Sequence, residues 1–377
     1  DFTNQASLNQ FKEYLATNPR LSTPNTLKLS DVQFTVDNFL RELERGSRYI
    51  ANFYSRTTAT IDLSQSTFNV ADVPSLIDAI PSQTITRGIS SAQARAIGDA
   101  QMSESNTLGF EFEGGHATLG MSQLARQYNQ KGISINAESY NHTTRPQWKL
   151  VPDASLGGVP NAFELVSPIL TGSQGIENLR ECLKVSQELG VQIFQQGGVH
   201  IHFGNSNWDM RVRKNILLNQ YQMSDWLQAT QPMHRRKNKW ALPFTFKRRR
   251  GEVVPISYTE FKGNVERSSS EALLTTNVVS GDRYREINIT NTRQPTWEWR
   301  FPQGNIEVDT NVNMVRLIDK LIEVSKVGVL GADNLTVNGM KEWMGVDLYT
   351  FWRNRIYDLS QTGRTGRPSY EHSDYIN

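Results

Sequence analysis

Residues 108–115 read Leu-Gly-Phe-Glu-Phe-Glu-Gly-Gly, and this strict alternation is typical of a strand with one buried face. Phe110 and Phe112 would pack on a core, while Glu111 and Glu113 project from the other side, roughly 7 Å apart along the strand. Carboxylates this close raise one another's pKa unless a cation neutralises them. The segment therefore predicts a divalent-metal site, although two solvated glutamates on an exposed strand would give the same pattern.

The same alternation recurs twice later in the chain. His200 and His202 alternate with apolar residues in Gly-Gly-Val-His-Ile-His-Phe-Gly. Glu298 and Arg300 do so in Pro-Thr-Trp-Glu-Trp-Arg-Phe-Pro. Each segment is apolar on one side and ionisable on the other, which predicts two further half-buried strands.

Two shorter segments complete the set. Lys149 lies in Trp-Lys-Leu-Val-Pro-Asp-Ala-Ser, and Glu164 lies in Ala-Phe-Glu-Leu-Val-Ser-Pro. If all these segments pair in one sheet, their ionisable sides form a single surface. The side chains on that surface would be Glu111, Glu113, Lys149, Glu164, His200, His202, Glu298 and Arg300. This concentration of carboxylates, imidazoles and cations indicates a functional site.

The ordered series of motifs resembles the amidoligase family over about residues 107–320. The resemblance implies an ATP-dependent carboxylate–amine ligase, related in fold to glutamine synthetase and glutamate–cysteine ligase. It implies a sheet that holds ATP and Mg²⁺, with Mn²⁺ as a substitute. A small-molecule or peptide carboxylate would be phosphorylated and then attacked by an amine.

The resemblance also implies roles for individual residues. The metal ligands would be Glu111, Glu113, Glu164, His200 and Glu298. The nucleotide-binding residues would be Lys149, His200, His202, Arg285 and Asn288. The catalytic residues would be Arg300, Arg235, Arg236 and Asp153. Which of the two adjacent arginines matches the family is left open.

Two other functions stay open at this point. Mg²⁺ prefers oxygen ligands to histidine, so the spacing alone is also compatible with a Zn²⁺ or Mn²⁺ hydrolase. The chain is also compatible with a structural or assembly protein that retains the ligase fold without turnover. The intact set of ionisable residues favours the ligase, because desolvated carboxylates and histidines that face each other are typical of active sites.

A strongly basic segment covers residues 234–250. Eight of its 17 positions are Lys or Arg, and none is acidic. We interpret it as a loop that reaches over the sheet to hold triphosphate and substrate carboxylate, because planar guanidinium groups match these oxyanions. A nucleic-acid surface with interleaved aromatic residues and a solvated turn are the alternatives.

Residues 1–100 lack an ionisable cluster with ligand spacing. Helical patterns occur around Phe11 and Phe39, and residues 91–97 are helical again. We predict a mainly helical N-terminal arm over residues 1–100, which packs on the sheet or mediates a homo-oligomer or larger assembly. A glutamine-synthetase-like ligase domain would follow over residues 101–377.

Helical patterns alternate with the predicted strands from residue 108 onward. They cover residues 122–132, 175–190, 209–229 and 311–327, with a serine cap at Ser122 and glycine stops. Helices of this size can cover the apolar backs of the strands, which predicts an α+β fold with an antiparallel sheet and helices on one face. Residues 364–377 are expected to be an extended or flexible tail.

The composition argues against several classes of protein. A net charge of +2 over 377 residues does not call for a nucleic-acid partner. The single cysteine, Cys182, excludes an internal disulfide framework and fits a reducing compartment. The sequence has no run of about 18 apolar residues and no charged-then-apolar leader, so we expect a cytoplasmic protein with no membrane span or secretory signal.

Overall fold

The computed structural model describes residues 26–28, 67–69, 88–153, 156, 161–194, 197–236, 238–249, 251–290 and 294–365. The chain divides into two compact units. One consists of Asp1–Gly88 with Ser257–Thr259, and the other of Ile89–Ile256 with Glu260–Asn377. In the first unit, strands β1 (Thr26–Lys28) and β2 (Thr67–Asn69) pair antiparallel. The helices predicted around Phe11 and Phe39 lie outside the described residues.

The second unit contains the predicted strands and helices. Its strands are β3 (Thr107–Gly115), β4 (Ile135–Ala137), β5 (Trp148–Val151), β6 (Ala162–Val166), β7 (Leu170–Thr171), β8 (Gln192–Ile193), β9 (Val199–Gly204), β10 (Phe246–Arg249), β11 (Glu252–Pro255), β12 (Ile287–Asn288) and β13 (Thr296–Trp299). Its helices are α1 (Ser91–Asp99), α2 (Met121–Gln130), α3 (Gly172–Glu188), α4 (Met210–Ala229), α5 (Tyr258–Arg267), α6 (Glu271–Asn277), α7 (Val308–Val327), α8 (Val337–Met344) and α9 (Val346–Thr365).

One nine-stranded sheet organises this unit, with strand order β12-β13-β9-β3-β6-β5-β4 and with β7 and β8 also paired to β3. The pairs are antiparallel except for β4 and β5, which run parallel. The α+β class predicted from the sequence is therefore confirmed. The parallel pair is a correction to the fully antiparallel sheet, and it arises because residues 138–147 carry the chain from the end of β4 back to the level at which β5 begins.

The apolar side of the sheet forms the core. Phe110, Phe112, Trp297 and Trp299 are fully buried, as the alternation predicts. The indole of Trp299 donates to Gln220 Oε1 of α4 over 3.2 Å, and the indole of Trp148 donates to Asn178 Oδ1 of α3 over 2.8 Å. Helices α3 and α4 therefore pack on this apolar side and leave the ionisable side of the strands to the site.

Helix ends follow local chemistry. Asp209 caps α4 by accepting a hydrogen bond from Val212 N at 2.7 Å, and Gly190 follows α3 with a φ of +73°. The predicted cap at Ser122 is wrong. Gly120 occupies that position, and its N–H donates to Gln123 Oε1 at 3.3 Å.

The sequence analysis did not predict helices α8 and α9. Helix α9 buries Leu348, Trp352, Arg355 and Leu359, which recur at helical spacing. It includes residues 364 and 365, so the extended tail predicted from residue 364 is wrong for these two positions. No helix in the described part of the chain combines the length and apolarity needed to cross a membrane.

Helix α1 packs on helices α7 and α8 in the second unit. Lys320 of α7 donates from its buried ammonium group to the carbonyls of Ile97, Gly98 and Ala100 at the end of α1. Gly98 permits the close approach to α8, since a Cβ there would lie 1.9 Å from the carbonyl oxygen of Glu342. The domain boundary near residue 100 stays a prediction.

This contact predicts the effect of a single methyl group. Gly98→Ala should lower the free energy of unfolding by about 1–3 kcal/mol, because the methyl group forces α1 away from α8. Gly263→Ala in α5 is the matched control. Its Cβ would meet only the flexible end of Arg267, at 3.1 Å, and alanine favours a helix by up to about 1 kcal/mol over glycine. Urea unfolding followed by circular dichroism measures both variants, and wild-type stability of Gly98→Ala would contradict the packing.

Candidate active site

The central strand β3 places its two glutamates between neighbouring strands. Glu111 lies opposite His200 of β9, and Glu113 lies opposite Glu164 of β6. Because side chains of paired residues on one face lie close together, the register alone brings these four groups to one surface. They are the groups that the alternation predicts on the ionisable side.

Strand β13 brings the next carboxylate to the same surface. Glu298 lies opposite His202, which in turn lies opposite Gly109 of β3. A Cβ on Gly109 would stand 3.5 Å from His202 Cβ, so the glycine leaves room beside the imidazole. His202 Nδ1 lies 3.3 Å from Thr296 Oγ1, which fixes the orientation of the ring.

Glu111 is at the centre of this cluster. Its Oε2 lies 3.5 Å from His200 Nδ1 and 3.2 Å from His202 Nε2. His200 Nδ1 also lies 3.4 Å from Glu298 Oε1. One carboxylate therefore contacts both imidazoles.

Two groups in the described residues have the composition of a metal site, and they share Glu111. One consists of Glu111, His202 and Glu298, and the other of Glu111, Glu164 and His200. In each group the ligand atoms lie within 4.8 Å of one another. His202 Nε2 is a buried ring nitrogen that pairs with Glu111 Oε2 at 3.2 Å. Carboxylate and imidazole donors together suit Mn²⁺ or Zn²⁺, and carboxylates suit Mg²⁺, so the residues fit a divalent cation.

Charge balance explains the ionisation of the cluster. Burial alone would raise the pKa of Glu111, but the charge of His202 and the hydrogen bonds of His200 and His202 hold it well below its usual range. Burial raises the pKa of Glu164 well above its usual range, and the charges of Glu111 and Glu113 raise it further. Burial lowers the pKa of His202, but Glu111 outweighs it and the net pKa is about 9. A proton on Glu164 and a charge on His202 thus balance the carboxylates, a role that a dication can take over.

Neighbouring groups hold the carboxylates in place. Glu298 accepts hydrogen bonds from Asn288 Nδ2, at 2.7 Å, and from Arg300 Nη1. Burial raises the pKa of Glu298, yet the charges of His200, His202 and Arg300 bring it below its usual value.

Comparison with known proteins agrees with this geometry. A family model described as "putative amidoligase enzyme" matches residues 104–322, which include every strand of the cluster. The chain belongs to the amidoligase family. No curated protein matches it. The family resemblance read from the motifs is thereby confirmed.

Glu113 stands beside the two metal groups of this amidoligase. Its Oε2 accepts a hydrogen bond from Gly198 N at 2.6 Å, and its Oε1 lies 4.0 Å from His200 Nε2. A Cβ on Gly198 would stand 2.9 Å from Arg235 Nη2 and 3.4 Å from His200 Nε2, so a larger residue there would push the Arg235 guanidinium aside. Gly198 was not among the predicted site residues, although the Gly-Gly pair before the histidines was a signal for it.

The two adjacent arginines occupy different places in the amidoligase. Arg235 is buried, and its Nη2 donates to the Arg300 carbonyl oxygen at 2.9 Å, next to Gly198 and the cluster. Arg236 donates instead to the carbonyl oxygens of Ala229 and Gln231, at the end of α4. The structure therefore brings Arg235 to the site and Arg236 to a helix end.

Lys149 lies on the ionisable face but binds a loop. Its Nζ donates to Asn141 O at 3.1 Å and to Thr143 O at 2.9 Å. The same loop, residues 138–147, accepts a hydrogen bond on His142 O from Gln294 Nε2 at 3.0 Å. Since Lys149 is in β5 and Gln294 precedes β13, the loop is tied to both sides of the sheet centre. Nucleotide binding by Lys149 stays a prediction.

Three further predicted residues lie around the cluster. Asn288 supports Glu298 as described above. Asp153 is half-buried after β5, and its charge contributes to the raised pKa of Glu164, after burial and the charges of Glu111 and Glu113. Arg285 is buried away from the cluster and donates to Phe246 O at 2.7 Å, and burial lowers its pKa to about 10. The alternation of the sequence did not predict the position of Arg285, because β12 covers only residues 287 and 288 and Arg285 lies before it.

The shared position of Glu111 makes a testable prediction. Glu111→Gln should lower the affinity for Mn²⁺ by about 100-fold or more, because supporting residues alone cost 10–100-fold and Glu111 belongs to both ligand groups. Glu188→Gln is the matched control, since this exposed glutamate on α3 pairs with Lys131 at 2.6 Å on the surface. Titration of Mn²⁺ followed by electron paramagnetic resonance measures both variants. If Glu111→Gln binds Mn²⁺ as tightly as the wild type, Glu111 is not a metal ligand.

The charge balance predicts how pH acts on the metal-free protein. The unfolded pKa of histidine is about 6.5, and that of folded His202 is about 9. Its stabilising contribution is therefore complete below about pH 6.5 and lost as the pH rises through about 9. Ionisation of Glu164 acts in the same direction. With chelator present, the melting temperature should fall across this range.

Saturating Mg²⁺ should reduce the fall, because the dication takes over the balancing charge. His202→Gln should reduce it as well, whereas His142→Gln, at an exposed position, should behave like the wild type. Melting curves with the same pH dependence in chelator and in Mg²⁺ would contradict this charge balance.

Proposed function

We propose that this amidoligase uses ATP and Mg²⁺ or Mn²⁺ to join a carboxylate to an amine on a glutamine-synthetase-like sheet. The observation that carries the proposal is the position of Glu111 in two potential metal groups, with Arg300 beside them on Glu298. Enzymes that transfer phosphoryl groups use paired cations and arginines to stabilise the developing charge. The family supports ligase activity, and the donor set supports the dependence on a dication.

The proposed reaction has two steps. A substrate carboxylate oxygen attacks the γ-phosphorus of ATP, the bond from that phosphorus to the β,γ-bridging oxygen breaks, and ADP leaves. The amine nitrogen then attacks the acyl carbon, the bond to the phosphate oxygen breaks, and inorganic phosphate leaves with the electron pair. The nitrogen gives up its proton, for which we assign the half-buried Asp153 as acceptor.

The residues of the cluster have distinct proposed roles. Glu111, Glu164, Glu298, His200 and His202 would hold the dications, which supply charge neutralisation at the phosphates when bound. Arg300 is fixed by Glu298 and by the carbonyl oxygen of Trp240, which its Nε approaches to 3.5 Å. We assign its guanidinium to the transferring phosphoryl group, because the planar fork matches two phosphate oxygens.

Arg235 would act from the other end of the cluster. It is buried beside Gly198, and its Nη2 donates to the main chain of Arg300, so it also fixes the strand that carries Arg300. Glu113 would keep the Gly198 segment in register through its hydrogen bond to Gly198 N. In this proposal Arg235 and Glu113 are positioning residues: they hold the backbone around Gly198 and Arg300 in place beside the cluster.

A pooled-substrate assay tests the function. The protein is incubated with ATP, Mg²⁺ and a mixture of amino acids, amines and peptides, and ADP and condensed products are measured by mass spectrometry. Arg300→Lys should lower kcat by about 100-fold or more while ATP affinity falls less, because lysine retains the charge but not the fork. Arg236→Lys, at the end of α4, should retain kcat.

Release of ADP with no condensed product would indicate an ATPase and contradict the ligase. Turnover with Zn²⁺ in the absence of ATP would favour the hydrolase. If melting curves in chelator, in Mg²⁺, in ATP with chelator and in ATP with Mg²⁺ superimpose, the assembly protein is the better description, because each bound ligand should raise the melting temperature.

A further inference from the structure

A basic and aromatic surface lies next to the candidate active site. We define the cationic patch as Lys239, Trp240, Arg249, Arg283 and Tyr284. Lys239, Arg249 and Arg283 are exposed, and Trp240 is 49% exposed. The rings of Trp240 and Tyr284 meet edge to face, with their centroids 4.9 Å apart.

The cationic patch is continuous with the cluster through Arg300. The Arg300 guanidinium carbon lies 6.0 Å from the centre of the Tyr284 ring, and Arg300 Nε lies 3.5 Å from the Trp240 carbonyl oxygen. The same guanidinium donates to Glu298, which belongs to one of the metal groups. A single buried arginine thus separates the surface from the proposed reaction centre.

Strands β10 and β11 hold the cationic patch in place. Strand β10 lies in the basic segment of residues 234–250, which was interpreted from the sequence as a loop over the sheet, and it pairs antiparallel with β11. Arg248 Nε pairs with Asp282 Oδ2 at 2.9 Å, and Arg248 Nη2 donates to the Lys239 carbonyl oxygen at 2.6 Å. Asp282 Oδ1 also accepts from Tyr284 N at 2.9 Å. Asp282 is therefore engaged with the scaffold. The exposed Glu252 lies opposite Arg249, and the three exposed cations of the patch outnumber it.

We propose that the cationic patch binds an acidic polypeptide and that this polypeptide supplies the carboxylate substrate. The inference rests on the proposed ligase function. Exposed lysine and arginine attract carboxylates, and a ring such as Trp240 adds apolar contact area. The exposed cations lie farther from the cluster than the buried Arg300. A ligand that contacts both them and the cluster must therefore extend from the site to the surface, as a peptide can.

The position of the cations favours carboxylates over nucleic acid. Lys239 Nζ lies 4.9 Å from the centre of the Trp240 ring, and the guanidinium carbon of Arg283 lies 5.6 Å from that of Tyr284. Single-stranded nucleic acid binds such surfaces by stacking its bases on aromatic faces. Here cations already stand over both rings, so these faces present charge to a ligand.

Binding measurements test the inference without any need for turnover. The probe is a short fluorescein-labelled polyglutamate peptide, and its binding to the full chain is followed by fluorescence anisotropy at two salt concentrations. The double variant Lys239→Glu/Arg283→Glu should weaken binding by about 10-fold or more, and higher salt should weaken binding to the wild type. The matched control is Arg126→Glu/Lys184→Glu, which reverses two exposed charges on helices α2 and α3 and should bind like the wild type.

Three results would overturn the inference. They are equal binding to all three proteins, tighter binding of single-stranded DNA that the same double variant abolishes, and a parallel loss of affinity for ATP and Mg²⁺. The second result would identify a nucleic-acid surface, and the third a nucleotide site. Loss of peptide binding in the double variant, together with no condensation in the pooled assay, would support peptide binding while contradicting the ligase, so the two failures are distinguishable.

Discussion

Mutual repulsion of buried carboxylates is the constraint on which this structure depends. The half-buried Glu111 and Glu164 converge with the buried Glu298, and unbalanced charges there would be costly. Two imidazoles, the Arg300 guanidinium and protonation of Glu164 compensate this negative charge. These compensating groups lie on strands of the same sheet or, for Arg300, directly after one, so the fold establishes the charge balance.

The two faces of the sheet carry out separate tasks. The aromatic residues on one face pack against helices and fix the positions of the strands, while the backbone register transfers that precision to the other face. Glu298 shows the result, because Asn288 of one neighbouring strand donates to it and His202 of the other lies opposite it. Side chains on paired strands are held more precisely than side chains on loops, which suits a site where several charged groups must meet.

Much of this arrangement was predictable from sequence, because alternation is a local property. It identified β3, β9 and β13, and it assigned Glu111, His200 and Glu298 to one face. It did not place Arg285, because alternation extends over too few residues in β12 to fix a face. It also did not distinguish Arg235 from Arg236. Their positions depend on tertiary contacts, of Arg235 with Arg300 and of Arg236 with the end of α4.

The contacts of Lys149 could not be predicted from the sequence either. They join strand β5 to the loop of residues 138–147, and local sequence patterns do not determine the path of that loop. The pairing of β4 with β5 and the packing of α8 and α9 likewise depend on contacts between distant residues. The sequence therefore predicts which residues lie on the same face of the sheet. It predicts less well which hydrogen bonds and ion pairs each side chain makes on that face.

The carboxylate shared by the two ligand groups has a thermodynamic consequence. A cation held in one group would polarise and orient the Glu111 carboxylate, and so would change the affinity of the other group for its own cation. By linkage the effect is reciprocal and equal in both directions. Cations in the two groups would therefore not bind independently, and the occupancy of one group would set the affinity of the other.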